Sequence, residues 1–441
     1  MRGRWTVVAL VVGCATFLPA APADSAESVR VHPDQDLQRA LDAAASGTTL
    51  ELMAGRHRGP ITIRQRMTLR GAPGARIDGG GRGSVVTVAA ADVRVHTLTV
   101  AGSGHDLSAD DAGVLVLGDR AELHQLRVER SLHGIYLRGA TSVRVRESEV
   151  VGLAAGEESA PPPAATGGDD GIHHNPPKAR ALMGNGIHLW NANDATITGN
   201  HIHHVRDGVY VAHCDGASFV GNRVHDSRYG IHYMYSHDSE LRGNELWRNV
   251  AGAALMFSRG LRVIDTRARD HGGLRAYGIL LQDVDESEFR ANQILGNRVG
   301  IRLQNSNANR FDGNRIFANI TGVRIGSASR DNELTRNYIA ANLHPVELTG
   351  PVPPGNWSVD GVGNFWDVAV MPLDLEGDGV SEWPHHEADL LAEWREDFPV
   401  LQMLAGSPAL RMLQWAVRRV PVPGLRHITD PDPLTTLRRD D

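Results

Sequence analysis

Apolar residues in this chain come in short alternating runs, broken every few positions by glycine, asparagine or aspartate. Alternation with period two is the signature of strands with one buried face. Between Asn200 and Asn337 the runs fall into register. Asn200, Asn222, Asn244, Asn292, Asn314 and Asn337 head successive rows, and an aliphatic residue follows each two places on: Ile202, Val224, Leu246, Ile294, Ile316 and Ile339. A second column holds Gly186, Gly208, Gly230, Gly252, Gly278, Gly300 and Gly322. Most rows are 22 residues long, and one irregular row runs from Thr266 to Ala291. A fixed period of this size marks a solenoid. Three short strands and three turns fit one such row. The prediction is an all-β, right-handed parallel β-helix of about 22 residues per coil, spanning residues 48–364. Gly208, Gly230 and Gly252 should then stack in one column.

The ends read differently. Residues 34–45 predict a helix with Asp34 as N-cap and Leu37, Ala40, Leu41 and Ala44 on one face. Within residues 24–47 it would cover the open end of the first coil, as solenoid termini require. Residues 152–184 interrupt the repeat with an insertion containing His173 and His174. The segment 365–441 predicts a turn, helices and an extended tail. Asp374, Glu376 and Asp378 resemble the start of a calcium loop, but its twelfth position is His385 rather than a bidentate glutamate, so a structural turn is favoured. Helices are expected after Glu387. Residues 407–420 predict one with Leu410, Leu413 and Val417 on one face, Trp415 beside them and a basic end at Arg418 and Arg419. Residues 1–23 read as a secretory signal, with Val11-Val12-Gly13-Cys14 as an alternative lipoprotein box that would leave Cys14 lipidated. Cleavage after Ala23 would leave Cys214 as the sole cysteine, which excludes an internal disulfide.

Assigning faces by alternation puts His188, Trp190, Tyr210, Ala212, His232, Met234, Ala254 and Met256 on the outside of one sheet, opposite the inward pairs Ile187/Leu189, Val209/Val211 and Ile231/Tyr233. His203, His225 and Trp247 form a second outward column, with His201, His204, His213, Cys214 and His237 around it. Imidazole with thioether sulfur is a ligand set for copper, above all Cu(I). The alternative is a solvated or partner-covered polar face. Composition adds little: aromatics are 5%, glycines number 48, and a net charge of −7 gives no reason to expect nucleic acid.

Three runs are more specific. Arg206-Asp207-Gly208-Val209-Tyr210, Arg228-Tyr229-Gly230-Ile231-His232-Tyr233-Met234-Tyr235-Ser236 and Ala254-Leu255-Met256-Phe257-Ser258 closely resemble the NosD family. Gly184 to Asn191, Ser407 to Leu410 and Asp430-Pro431 are similar to that family as well. The resemblance implies a periplasmic, non-enzymatic accessory protein that docks on an ABC transporter, a membrane permease with its ATPase. It further implies a part in assembling the copper–sulfide centre of nitrous oxide reductase, with the reductase and a periplasmic copper chaperone as partners. Leu410, Leu413, Trp415 and Val417 are then candidates for transporter docking. His188, Tyr210, His232, Met234 and Met256 are candidates for copper or partner binding, and His203, His225, His213, Cys214, His173 and His174 are secondary ones. The rival is a polysaccharide-active β-helix enzyme of the lyase or epimerase class. That chemistry needs paired carboxylates, or an acid with a neighbouring base, on one coil face. Asp110-Asp111 and Asp169-Asp170 lie in loop-like segments, and no catalytic residue is assigned. A passive structural solenoid is the third reading. Because His232 and Met234 are expected to point outward, replacing them with Ala and Leu should leave the fold intact.

Overall fold

The structure is a computed structural model and describes residues 28–152, 184–273, 276–350, 355–367, 373–388, 407–419 and 427–436. The predicted signal segment with Cys14, and the insertion with His173 and His174, lie outside the described residues. Within them the chain is a right-handed parallel β-solenoid built from three long sheets of 13, 12 and 13 strands. Each coil contributes one strand to each sheet, and every neighbouring pair in the three sheets is parallel.

The side chains between the sheets form one continuous apolar core. Ile187, Leu189, Val209, Val211, Ile231 and Tyr233 are fully buried in it. The glycine column stacks as expected, and close contact between coils is its cause. A Cβ on Gly208 would lie 2.6 Å from the carbonyl oxygen of Gly230 and 2.1 Å from Cγ1 of Val224. Gly230 and Gly252 meet the next glycine's carbonyl in the same way, at 2.6 and 2.4 Å. Only a residue without a side chain lets the coils approach there.

The asparagine column is an internal ladder. The backbone N–H of Asn200 donates to Oδ1 of Asn222 and that of Asn222 to Oδ1 of Asn244, both at 3.0 Å. Thr266 stands in for asparagine in the irregular row and donates its N–H to Asn292 at 2.9 Å, after which Asn314, Asn337 and Asn364 continue the chain. The side-chain amides satisfy buried carbonyls, as in the 2.8 Å bond from Asn222 Nδ2 to Ile197 O. Turn donors that alternation alone would leave orphaned are thereby paired inside the core. A second ladder, through Asn249, His271, Asn297, Asn319 and Asn342, runs beside the first.

Both ends differ from expectation in detail. A strand, Ser28–Val31, precedes the helix and pairs with Thr49–Leu52, so the first sheet begins before residue 48. The helix itself, α1, is Leu37–Ala43, and its N-cap is Asp36 rather than Asp34. The carboxylate of Asp36 reaches the backbone N–H of Arg39 at 3.1 Å, the contact that defines the cap. Leu37 and Leu41 bury against the first coil. The Gln38 amide also pairs with both backbone groups of Thr62, closing part of an open strand edge.

At the other end the tail is not merely extended. His427–Asp430 pairs antiparallel with His385–Ala388, and Leu434 bridges to Phe365. Asp430 ends the asparagine ladder: its Oδ2 accepts from the N–H of Asn364 at 2.8 Å and from the indole of Trp366 at 2.8 Å. Burial pushes this carboxyl up to about 6 despite those donors. Asp374 spends its oxygens on the backbone N–H groups of Gly377, Asp378 and Gly379, and Asp378 accepts from Val380. Those bonds make the Asp374/Glu376/Asp378 segment a hydrogen-bonded turn. A second helix, α2, is Pro408–Arg419. Val417 is buried, and the helix packs on the strand His385–Ala388. Leu413 and Trp415 are about half exposed, and Met412 more so.

Candidate functional site

The 12-stranded sheet brings the leading candidates together on its outer side. His188, Tyr210 and His232 are register partners in three successive coils. Their rings touch edge to face, at centroid separations of 4.8 and 5.0 Å, and Tyr136 stacks flat on His188 at 4.3 Å. Met234 and Met256 are register partners as well. The face is therefore continuous, but it is not open. His188 is 9% exposed, His232 8% and Met256 4%. Alternation fixes the side of a sheet on which a residue stands; rings stacked coil upon coil then cover one another. Met256 belongs to a small outer apolar cluster with Tyr229, Ala254, Tyr277 and Leu280, against which Met234 packs.

Sequence reasoning missed the residue at the centre of this face. Asp207, fully buried, accepts two hydrogen bonds from Arg228, Nε at 2.8 Å and Nη2 at 2.6 Å, and lies 3.1 Å from Nδ1 of His232. Burial alone would raise its pKa, but His232 and Arg228 together hold it well below the usual carboxylate range. One coil earlier Arg206 makes the equivalent reach to Asn185 Oδ1, at 3.2 and 3.1 Å. In the neutral tautomer with Nδ1–H donating to Asp207, Nε2 carries the lone pair. This carboxylate–histidine arrangement orients imidazoles at metal and catalytic sites. It also removes the premise of the expectation that His232 can be replaced without consequence for the fold, since the ring is buried and Asp207 would lose a partner inside the protein.

His188 is the converse case. Both its ring nitrogens are buried and neither has a hydrogen-bond partner. Burial, with His133 and Arg206 nearby, depresses its pKa to about 3, so the ring is neutral. Its donor chemistry fits copper, as does the thioether of Met234, which accepts from the hydroxyl of Tyr210 at 4.0 Å. The arrangement is not a four-ligand cage, because the Tyr210 ring stands between His188 and His232.

The secondary candidates divide. Cys214 is not on a surface at all. It is fully buried, accepts from the N–H of Ala192 at 3.2 Å and donates to Ala212 O at 3.1 Å, and burial raises its thiol to about 11. It takes the place that Ser236 and Ser258 take in later coils, capping a turn N–H. His213 lies on a turn with positive φ and stacks on Tyr235, which stacks on Phe257, in a row beside the Met234 and Met256 positions. His203 and His225 are on a different sheet. They stack at 5.0 Å, and His225 stacks on Trp247. His201, His204 and Glu149 join them.

Comparison with known proteins agrees with this architecture. The family model described as "Periplasmic copper-binding protein (NosD)" matches residues 165–369. A Stutzerimonas stutzeri protein named "Probable ABC transporter binding protein NosD" is 34% identical over 400 residues, covering 88% of this chain and 86% of its own. A Pseudomonas aeruginosa protein of the same name is 32% identical over 400 residues, covering 87% of each. Among solved structures, the A-module of the Azotobacter vinelandii mannuronan C-5 epimerase AlgE6 superposes with a TM-score of 0.60 at 15% identity, covering 76% of this chain and 94% of that one. The Streptococcus pneumoniae surface adhesin PfbA gives 0.57 at 12% identity, covering 74% and 93%. An epimerase and an adhesin sharing one solenoid carry information about the fold alone. The identity to the curated relatives, sustained over nearly nine-tenths of both chains, is of another kind: this chain belongs to the NosD family.

Proposed function

We propose that the chain is a periplasmic, ABC-transporter-associated accessory protein that helps assemble the copper–sulfide centre of nitrous oxide reductase, with copper as a passing cargo on the face of His188, Tyr210, His232, Met234 and Met256. The family description and the names of the relatives support the periplasmic, copper-binding and transporter-associated parts. One observation carries the assignment to this face. A neutral imidazole with two unpartnered buried nitrogens is a liability to the fold, and His188 is such a group. A soft ion would give it a partner. The reading is not enzymatic: Asp207 is locked to Arg228 and serves to orient His232 rather than to exchange protons. The reductase and a copper chaperone are the partners this role requires.

Replacing His188 with phenylalanine tests it. The variant loses no protein hydrogen bond, so its melting temperature should equal or exceed that of the parent. In cells it should leave the reductase short of its copper–sulfide centre, read by metal content and activity. Full maturation with the His188→Phe protein would remove this face from the function.

The transporter contact is assigned to α2, whose Met412, Leu413 and Trp415 are exposed while Val417 packs inward; the side chain of Leu410 lies outside the described residues. An exposed aromatic–aliphatic patch is the usual anchor of a protein interface. Replacing Leu413 with Glu and Trp415 with Ala should leave the solenoid's melting unchanged and lower copurification with the transporter about tenfold or more. Undiminished copurification would place the contact elsewhere.

A further inference from the structure

The 13-stranded sheet that begins at Gly55–Arg58 carries a polar cluster that the copper-handling reading does not use. Glu149, His201 and His203 each offer one ligand atom, and the three atoms lie within 4.8 Å of one another. Oε2 of Glu149 is held by Arg127, while Oε1 faces Nε2 of His203 at 3.5 Å. That spacing is already close to the edge of a tetrahedron, about 3.3 Å for nitrogen and oxygen ligands some 2.0–2.1 Å from a metal.

The surrounding ring nitrogens are held by neighbours. Asp226 accepts from Nδ1 of His225 at 2.6 Å, so His225 presents a lone pair at Nε2. That lone pair is 2.8 Å from Nε2 of His201, which therefore carries the hydrogen and leaves its own Nδ1 unprotonated. On the other side Nδ1 of His203 is 2.7 Å from Nδ1 of His204; in the tautomer where Nδ1 of His203 donates, its Nε2 carries the lone pair. A carboxylate or second imidazole behind each ligating histidine is the outer-shell pattern of metal sites. The side chains of His203 and Glu149 keep 15% and 35% of their exposure, which leaves a path for an ion to enter.

We propose that Glu149, His201 and His203 form a binding site for one divalent transition-metal ion of the zinc(II) or copper(II) class, with water completing the coordination. Two imidazoles and a carboxylate suit such an ion, whereas the thioether face of the 12-stranded sheet suits a softer one. His225, Asp226 and His204 are positioning residues. The site is on a separate sheet and stands whether or not the other face handles copper.

The test uses tag-free mature protein stripped with chelator and titrated separately with zinc(II), copper(II) and magnesium(II) by calorimetry. Cobalt(II) serves as a spectroscopic probe of geometry. The parent should bind one zinc ion at this site, ignore magnesium and give a visible cobalt spectrum with nitrogen ligands. His201→Ala with His203→Ala should remove one equivalent of zinc and the cobalt bands. Glu149→Gln, which preserves shape, should weaken zinc binding roughly 10- to 100-fold without changing the melting temperature of the metal-free protein. His188→Phe should retain the zinc equivalent, which separates this site from the other face. No zinc equivalent in a folded parent, or the same stoichiometry and affinity in the Glu149→Gln protein, overturns the proposal.

Discussion

Replacing Asp207 with alanine is expected to cost the fold about 3–5 kcal/mol. The carboxylate is fully buried, and its loss strands the guanidinium of Arg228 and the ring of His232 without their shared acceptor. The cost comes from the uncompensated charge rather than from lost volume. A double variant, Asp207→Leu with Arg228→Met, removes both charges and should recover more than half of it, because a buried ion pair can be exchanged for apolar packing at little net expense. Denaturant midpoints of the two proteins check this. A double variant no more stable than Asp207→Ala would show that packing, not charge, sets the cost.

Asn222→Ala should be comparably severe. Its Oδ1 accepts from both the backbone N–H and the side-chain amide of Asn200, and its Nδ2 donates to Ile197 O and Asn244 Oδ1. Alanine leaves the buried backbone N–H of Asn200 without its acceptor and takes a donor from both Ile197 O and Asn244 Oδ1, at about 1–3 kcal/mol for each unsatisfied group. A loss of about 3–5 kcal/mol is expected. Because solenoid coils are coupled mainly to their neighbours, hydrogen exchange should rise first at Asn200 and Asn244 and least at coils far along the axis. Uniform deprotection along the axis would contradict nearest-neighbour coupling.

These two residues show what a sequence makes legible and what it hides. Asn222 recurs at a fixed interval, so its column is visible without a structure, although its role as an internal ladder is not. Asp207 and Arg228 are 21 positions apart and His232 is 25 from Asp207, so their contact runs diagonally across coils. A search for acidic pairs within one row passes over such a contact. Cys214 hid for the opposite reason. It sits 22 residues before Ser236 and 44 before Ser258 in a turn-capping column, yet its sulfur drew the eye to metal chemistry. Alternation places the outer histidines on the correct side. Their closure depends on ring stacking between coils, which a period of two cannot register. The Glu149–His201–His203 group escaped because its carboxylate precedes the insertion while its histidines follow it, 52 positions on in His201.

Asp430 closes one end of the solenoid. The asparagine ladder runs coil by coil towards a rung supplied by a strand close to the end of the described chain. A chain cut short before that residue would leave Asn364 with an unanswered N–H and the final coil with unpaired backbone, an invitation to join a second molecule end to end. Loss of the His427–Asp430 strand would therefore turn a capped edge into an adhesive one.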